Sequence, residues 1–261
     1  VREGVRAAGG ILSAVSRRDL PVFPGSPGRR HRAGTPAAAF LASTAAAHPG
    51  EVTVLAIGPL SNVAAAGLLD PGFYGNVSRI VMMGGAFSCS PFGPLPLAFE
   101  FNFFKDPAAA RGVLAAPCDK VLLAADLCSQ VVFTRREVDA VRSMGSPAAR
   151  YLSGHLERWY RVNHVAPTPW KGGFVPWDAV AAVYLRKPGL FAGRLQEVRL
   201  RPGRRGTGAL ELAGEGRPSR AARGEAGRVG TFPCRLPESV DARGLLEEFL
   251  SVIEGSGRPA A

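Results

Sequence analysis

The sequence predicts an α/β protein, a doubly wound and mostly parallel sheet flanked by helices, on three observations. Three short runs rich in apolar and β-branched residues, at 52–57, 79–83 and 120–125, have the length and continuous hydrophobicity of strands buried on both faces. Helix-like stretches alternate with them. Glycine, proline, asparagine or aspartate marks most junctions between the two.

The elements follow in order. A helix-like stretch follows Val1 directly, with no apolar signal core. Residues 35–47 form the helix before the first strand. After that strand, Gly58-Pro59-Leu60-Ser61-Asn62 makes a tight turn into the alanine-rich stretch 63–69, which Ser61 or Asn62 is expected to cap. Asp106-Pro107 starts another helix, with Asp106 as N-cap and proline in the first turn. A helix at 135–144 follows the third run. Residues 203–230, rich in Gly, Arg and Ala, read as a loop, a weak β-excursion or disorder. A strand at 228–236 and an amphipathic helix at 241–253, with Leu245, Leu246, Phe249, Leu250 and Ile253 at helical spacing, close the chain. We read residues 1–261 as one domain.

Composition narrows the function. The chain has 261 residues, 46% hydrophobic and 20% charged, which is enough to bury a substantial core. Its formal charge of +11 raises the question of a polyanionic partner, which would show as steeply salt-dependent binding. The arginines, however, cluster in Pro/Gly-rich stretches such as 27–32 and 201–205, without interleaved aromatics or a nucleic-acid motif. No apolar run has membrane-spanning length. Neither a nucleic-acid nor a membrane partner is therefore expected. Four widely spaced cysteines without a Cys-x-x-Cys pair indicate neither zinc nor a disulfide framework and favour a reducing, cytoplasmic setting. His31, His48, His155 and His164 stand outside the motifs that follow.

In doubly wound sheets ligands bind beyond the carboxyl ends of the strands. Ile57-Gly58-Pro59 ends the first strand where backbone carbonyls leave the ladder and become available to a hard cation. Met82-Met83-Gly84-Gly85 ends the second, the glycines permitting close approach to the backbone beside a flexible thioether. By itself that pair is better explained by a core methionine before a turn. Glu100 and Asn102, read as an extended segment, share one face while Phe101 and Phe103 share the other. A carboxylate beside an amide can grip vicinal hydroxyls, which is sugar-binding chemistry. Trp177-Asp178 opens an apolar helix, where Asp178 serves as N-cap or as a hard-cation ligand and Trp177 offers a flat face to a heterocycle.

Together and in this order, residues 54–64, 81–86, Glu100-Phe101-Asn102 with Asp106-Pro107, and Trp177-Asp178 with Tyr184-Leu185 resemble the inosine-uridine nucleoside hydrolase family. Residues 20–25 resemble the segment entering its first crossover. The resemblance covers nearly the whole chain and is weakest at 203–230. It implies hydrolysis of the N-glycosidic bond of ribonucleosides by a calcium-activated water, in a homodimer or homotetramer. By the same resemblance the carbonyl of Ile57 and the carboxylate of Asp178 bind Ca²⁺, Glu100 and Asn102 hold the ribose hydroxyls, and Met83 lines the sugar pocket. Trp177 stands where many members carry a histidine, which resembles the purine-preferring branch. There, stacking on the base assists its departure, so Trp177 is both a substrate-binding and a catalytic candidate.

Two departures from the family pattern matter. Its N-terminal Asp-x-Asp followed by Asp-Asp, which supplies the base and most calcium ligands, is absent from this sequence. The expectation is an N-terminally truncated domain without its first strand, inactive by itself. The alternative is a non-catalytic nucleoside-binding or interaction module that retains the fold. Within 86–98 the usual sugar-contacting asparagine is also absent, leaving Ser88 and Ser90 as the nearby hydroxyls.

Overall fold

In a computed structural model the chain is described at residues 1–26, 34–88, 99–165, 172–200, 209–213 and 230–256. The arginine-rich stretches at 27–32 and 201–205 fall mostly or wholly outside these, as do residues 89–98 with Ser90.

Helix α1 (Arg2–Ala14) leads to α2 (Pro36–Ala47), whose N-cap Thr35 accepts a bond from the Ala38 amide. Strand β1 (Thr53–Ala56), helix α3 (Ser61–Leu69), the short α4 (Phe73–Asn76) and strand β2 (Arg79–Met83) follow. Next come α5 (Phe101–Lys105), α6 (Pro107–Ala115), β3 (Lys120–Leu123) and the single turn α7 (Ala125–Cys128). Strand β4 (Phe133–Thr134), helices α8 (Arg135–Ser143) and α9 (Pro147–Val165), and strand β5 (Gly173–Phe174) precede α10 (Trp177–Arg186). A 3-10 turn (Pro188–Leu190) leads into β6 (Phe191–Leu200), β7 (Leu210–Leu212), β8 (Phe232–Val240) and α11 (Ala242–Gly255).

The main sheet runs in the order β1-β2-β3-β8-β6-β7. Strands β1, β2, β3 and β8 are parallel, while β6 runs antiparallel to both β8 and β7, so the sheet is mixed. The alternation of side chains sorts the core into two layers. Val54, Ala56, Ile80, Met82 and Leu122 face one way, against Ala42 and Ala45 of α2, Val63 of α3 and Val113 and Leu114 of α6. Val81, Met83, Val121 and Leu123 face the other, against Val180 and Val183 of α10 and Leu245 of α11. Helices on both faces are the predicted doubly wound architecture.

Three expectations change, and at 203–230 the β-excursion among the open readings is found. Glu100–Asn102 is not extended: α5 starts at Phe101 because the Glu100 carboxylate caps it, accepting from the amides of Asn102 and Phe103. Asp178 is not an N-cap but the second residue of α10, with Pro176 at the cap position. Helix α3 begins at Ser61 with Leu60 as N-cap and no side-chain cap, because Ser61 and Asn62 are turned to other partners. Inside 203–230, Leu210–Leu212 form a sheet strand with Leu210 fully buried. Glycine-rich flanks concealed that strand, since the ladder with β6 and not local periodicity orders it.

Candidate functional site

The parallel register aligns the strand ends. Ala56 pairs with Met82 and Met83 with Leu123, so Ile57 leaves β1 level with Met83. The Met83 side chain is buried, whereas Ile57 is exposed. Beyond β2 the chain turns through Gly84 and Gly85, and Gly85 takes φ +71°, a left-handed conformation suited to glycine.

Glu100 and Asn102 converge on that turn. One Glu100 oxygen accepts from the Asn102 amide at 2.7 Å. The other accepts from the amides of Phe103 and Gly85, both at 2.9 Å. The carboxylate thereby ties the start of α5 to the end of β2. Asn102 donates its amide Nδ2 to the Met83 carbonyl at 3.1 Å, with the Met83 sulfur 3.5 Å away. Met83, Glu100 and Asn102, read separately from sequence, form one hydrogen-bonded unit.

Asp178 arrives from the far end of the chain. The two-stranded β4–β5 ribbon, where a Cβ on Gly173 would sit 2.4 Å from the Phe133 carbonyl oxygen, delivers the chain to α10. Trp177 packs partly buried against the layer containing Met83, and its carbonyl lies 3.8 Å from the Cys128 sulfur. Burial pushes the Glu100 carboxyl up from its ordinary pKa, its three backbone donors pull it back, and the Asp178 charge raises it further. Asp178 is open to solvent on one side, yet the protein around it raises its own pKa. Asp178 is thus close enough for its charge to act on the Glu100 carboxyl.

A raised pKa has a sign. Because the folded-state value exceeds the unfolded one, the contribution of Asp178 to stability is complete below the ordinary carboxylate range. It is lost as pH rises through the raised value. Asp178→Asn should therefore raise the unfolding temperature at pH 8 without divalent ions, and leave it unchanged near pH 3. Thermal unfolding followed by circular dichroism tests this, and a variant less stable than its parent at pH 8 contradicts it.

Two further carboxylates join the strand-end loops through contacts that were not legible in sequence. Asp106, 2% exposed, caps α6 through the Ala109 amide as expected, but also accepts from the Ser61 hydroxyl at 2.6 Å, linking the β1 turn to α6. Asp126, on α7, accepts from the amides of Phe87 and Ser88 and from the Ser88 hydroxyl. Only its position just after a strand could have flagged it. Ser88, the available hydroxyl of that loop, is thus engaged by Asp126. Of the histidines, His155 packs against Tyr151 and His48 ends α2, both away from these residues.

Calcium takes six to eight oxygens. Asp178 and the Ile57 carbonyl offer part of such a shell, while both Glu100 oxygens already hold backbone amides. Among the described residues no three His, Cys, Asp or Glu side chains gather to hold a metal ion. The residues present do not fit calcium as a complete site. Among the described residues, likewise, no helix is long and apolar enough to cross a membrane.

Comparison with known proteins gives the family and the fold. The family model described as inosine-uridine preferring nucleoside hydrolase matches residues 1–244. A protein named probable uridine nucleosidase 2 from Arabidopsis thaliana is 37% identical over 153 residues, covering 58% of this chain and 46% of the relative. The pyrimidine-specific ribonucleoside hydrolase RihB of Escherichia coli is 36% identical over 135 residues, covering 52% and 42%. The chain thus matches a little under half the length of these curated relatives. Among solved structures, a purine-preferring ribonucleoside hydrolase from Gardnerella vaginalis superposes with a TM-score of 0.81 at 19% identity, over 99% of this chain and 87% of that one. A plant nucleoside hydrolase gives 0.79 at 22% identity, over 97% and 85%. At such identities these two likenesses establish the fold.

Proposed function

The chain belongs to the inosine-uridine preferring nucleoside hydrolase family, and on that premise we propose that it forms the nucleoside-holding part of an enzyme that hydrolyses the N-glycosidic bond of ribonucleosides to free base and ribose. The observation that carries this reading is the unit of Met83, Glu100 and Asn102 at the carboxyl end of the sheet, with Asp178 close enough for its charge to act on Glu100.

Each residue has a role that follows from its chemistry. Glu100, locked by three amides, presents a fixed carboxylate to ribose hydroxyl donors, and Asn102 beside it presents an amide acceptor. Rigid placement matters because a sugar held in one pose loses less freedom on reaching the transition state. Met83 forms an apolar, adaptable wall. Trp177 gives the base a flat surface, and Asp178 contributes negative charge that stabilises positive charge developing on the ribose. The Ile57 carbonyl and Asp178 would supply part of a calcium shell. The substrate is a small nucleoside, and the enzyme assembles as a homodimer or homotetramer in the cytoplasm.

For the base, Trp177 favours purines, because a purine offers more face to stack upon. The pyrimidine reading is favoured by the names of the relatives at 36–37% identity. Equilibrium dialysis of the 261-residue chain with inosine and with uridine separates them. Tighter binding of inosine, lost in Trp177→Ala, supports the purine reading, and tighter uridine binding overturns it. Assayed alone with millimolar calcium, the chain should release no measurable base, since loss of a general base by itself lowers rates by about 10²–10⁴-fold. Robust calcium-dependent release of hypoxanthine from inosine would overturn that expectation and place the base among the residues present.

A further inference from the structure

The loop leaving β2 is held at every residue from Gly84 to Ser88. The Gly84 amide donates to the Leu123 carbonyl at 3.2 Å, and the Gly85 amide to Glu100. The Gly85 carbonyl accepts from Ala125, and the Ala86 carbonyl from Leu210 at 2.7 Å. These contacts come from backbone groups, or from a side chain already assigned to the nucleoside site. The last two residues are different. The Phe87 and Ser88 amides, at 2.7 and 2.8 Å, and the Ser88 hydroxyl, at 2.6 Å, all donate to one side chain, the Asp126 carboxylate.

We propose that Asp126 is a positioning residue for the nucleoside site, acting through the 84–88 loop on Glu100 and Met83. The inference rests on the nucleoside-site reading above and deepens it. Asp126 lies one residue after Ala125, whose amide holds the Gly85 carbonyl, so α7 grips the loop twice. Gly85 lies between these grips and Glu100, and among the described residues its amide is the one donor to Glu100 from outside α5 and its cap. When Asp126 releases Phe87 and Ser88, the peptide that orients the Glu100 carboxylate loses its support on the far side. A carboxylate is required because three donors converge on two oxygens. An asparagine of the same shape would turn an N–H₂ towards one or more of those donors.

The experiment compares the chain with Asp126→Asn and Ser88→Ala, using amide hydrogen exchange and equilibrium dialysis with inosine and uridine. In Asp126→Asn the amides of Gly85, Phe87 and Ser88 should lose protection while those of Leu122 and Leu123 in β3 keep theirs. Affinity for the bound nucleoside should fall by about tenfold or more, as expected when a site group is displaced by a fraction of an ångström. Ser88→Ala, which removes only the hydroxyl contact, should fall by less. Loop amides that stay protected in Asp126→Asn overturn the proposal, and so does nucleoside affinity within twofold of the parent when those amides are exposed. A parent chain that binds neither nucleoside while its Gly85 amide is protected overturns the nucleoside-site reading itself, and the positioning role falls with it.

Discussion

Glu100→Ala is expected to abolish nucleoside binding and to lower stability by up to about 4 kcal/mol, from loss of a helix cap and of a buried acceptor. Glu100 is 4% exposed, and its two oxygens serve three amides in a region that water does not reach freely. The truncation removes the N-cap of α5, whose loss typically costs ~1 kcal/mol. It also orphans the Gly85 amide, at ~1–3 kcal/mol for a buried donor left without a partner. Because burial raises the Glu100 pKa, removing a strained charge offsets part of this loss at neutral pH. Glu100→Gln, which keeps one acceptor oxygen, should fall between parent and alanine variant. Urea unfolding with inosine dialysis tests both effects. A Glu100→Ala chain as stable as its parent would show that these bonds do not hold the loop.

Gly85→Ala should lower stability by about 2–5 kcal/mol, combining left-handed backbone strain with overpacking. At φ +71° an alanine Cβ would lie 2.4 Å from Leu210 Cδ1 and 3.2 Å from Phe103 Cε2. Leu210 and Phe103 are both fully buried, so neither can yield without disturbing the sheet or α5. Gly50 isolates the two contributions, since its φ is +78° but nothing lies within 4 Å of its added Cβ. Gly50→Ala should cost only ~1–2 kcal/mol of backbone strain. Equal losses at the two positions, measured by urea unfolding, would show that packing against Leu210 and Phe103 contributes nothing.

These predictions describe a site whose parts are fixed before a ligand arrives. Glu100 is locked by amides, the glycine turn by its packing, and Asp106 and Asp126 tie neighbouring strand-end loops together. Asp178 differs, being a carboxylate open to solvent on one side whose raised pKa makes its ionised form a cost to the folded chain. Such a cost is common where a group is kept for a ligand and not for stability.

The sequence by itself determined the helix and strand alternation through β3, several element boundaries and the family. Arg79–Met83 is a strand as read, Asp106 caps α6 with Pro107 in its first turn, and Asp241 caps α11. These are local matters, decided by apolar period, β-branching and whether a side chain can reach an amide two or three residues on. Tertiary structure decided the rest. Glu100 was legible as a carboxylate near aromatics, but the helix it caps and its bond to Gly85 depend on where β2 ends. Asp126 carries no local signature, because its three donors lie almost forty residues earlier in the chain. Strands β6 and β7 are ordered by their pairing within the sheet, and the influence of Asp178 on Glu100 requires the β4–β5 ribbon to return the chain to the strand ends. A sequence shows which residues can take part in a site through short-range geometry, but their convergence is set by contacts whose energy exists only once the sheet has formed.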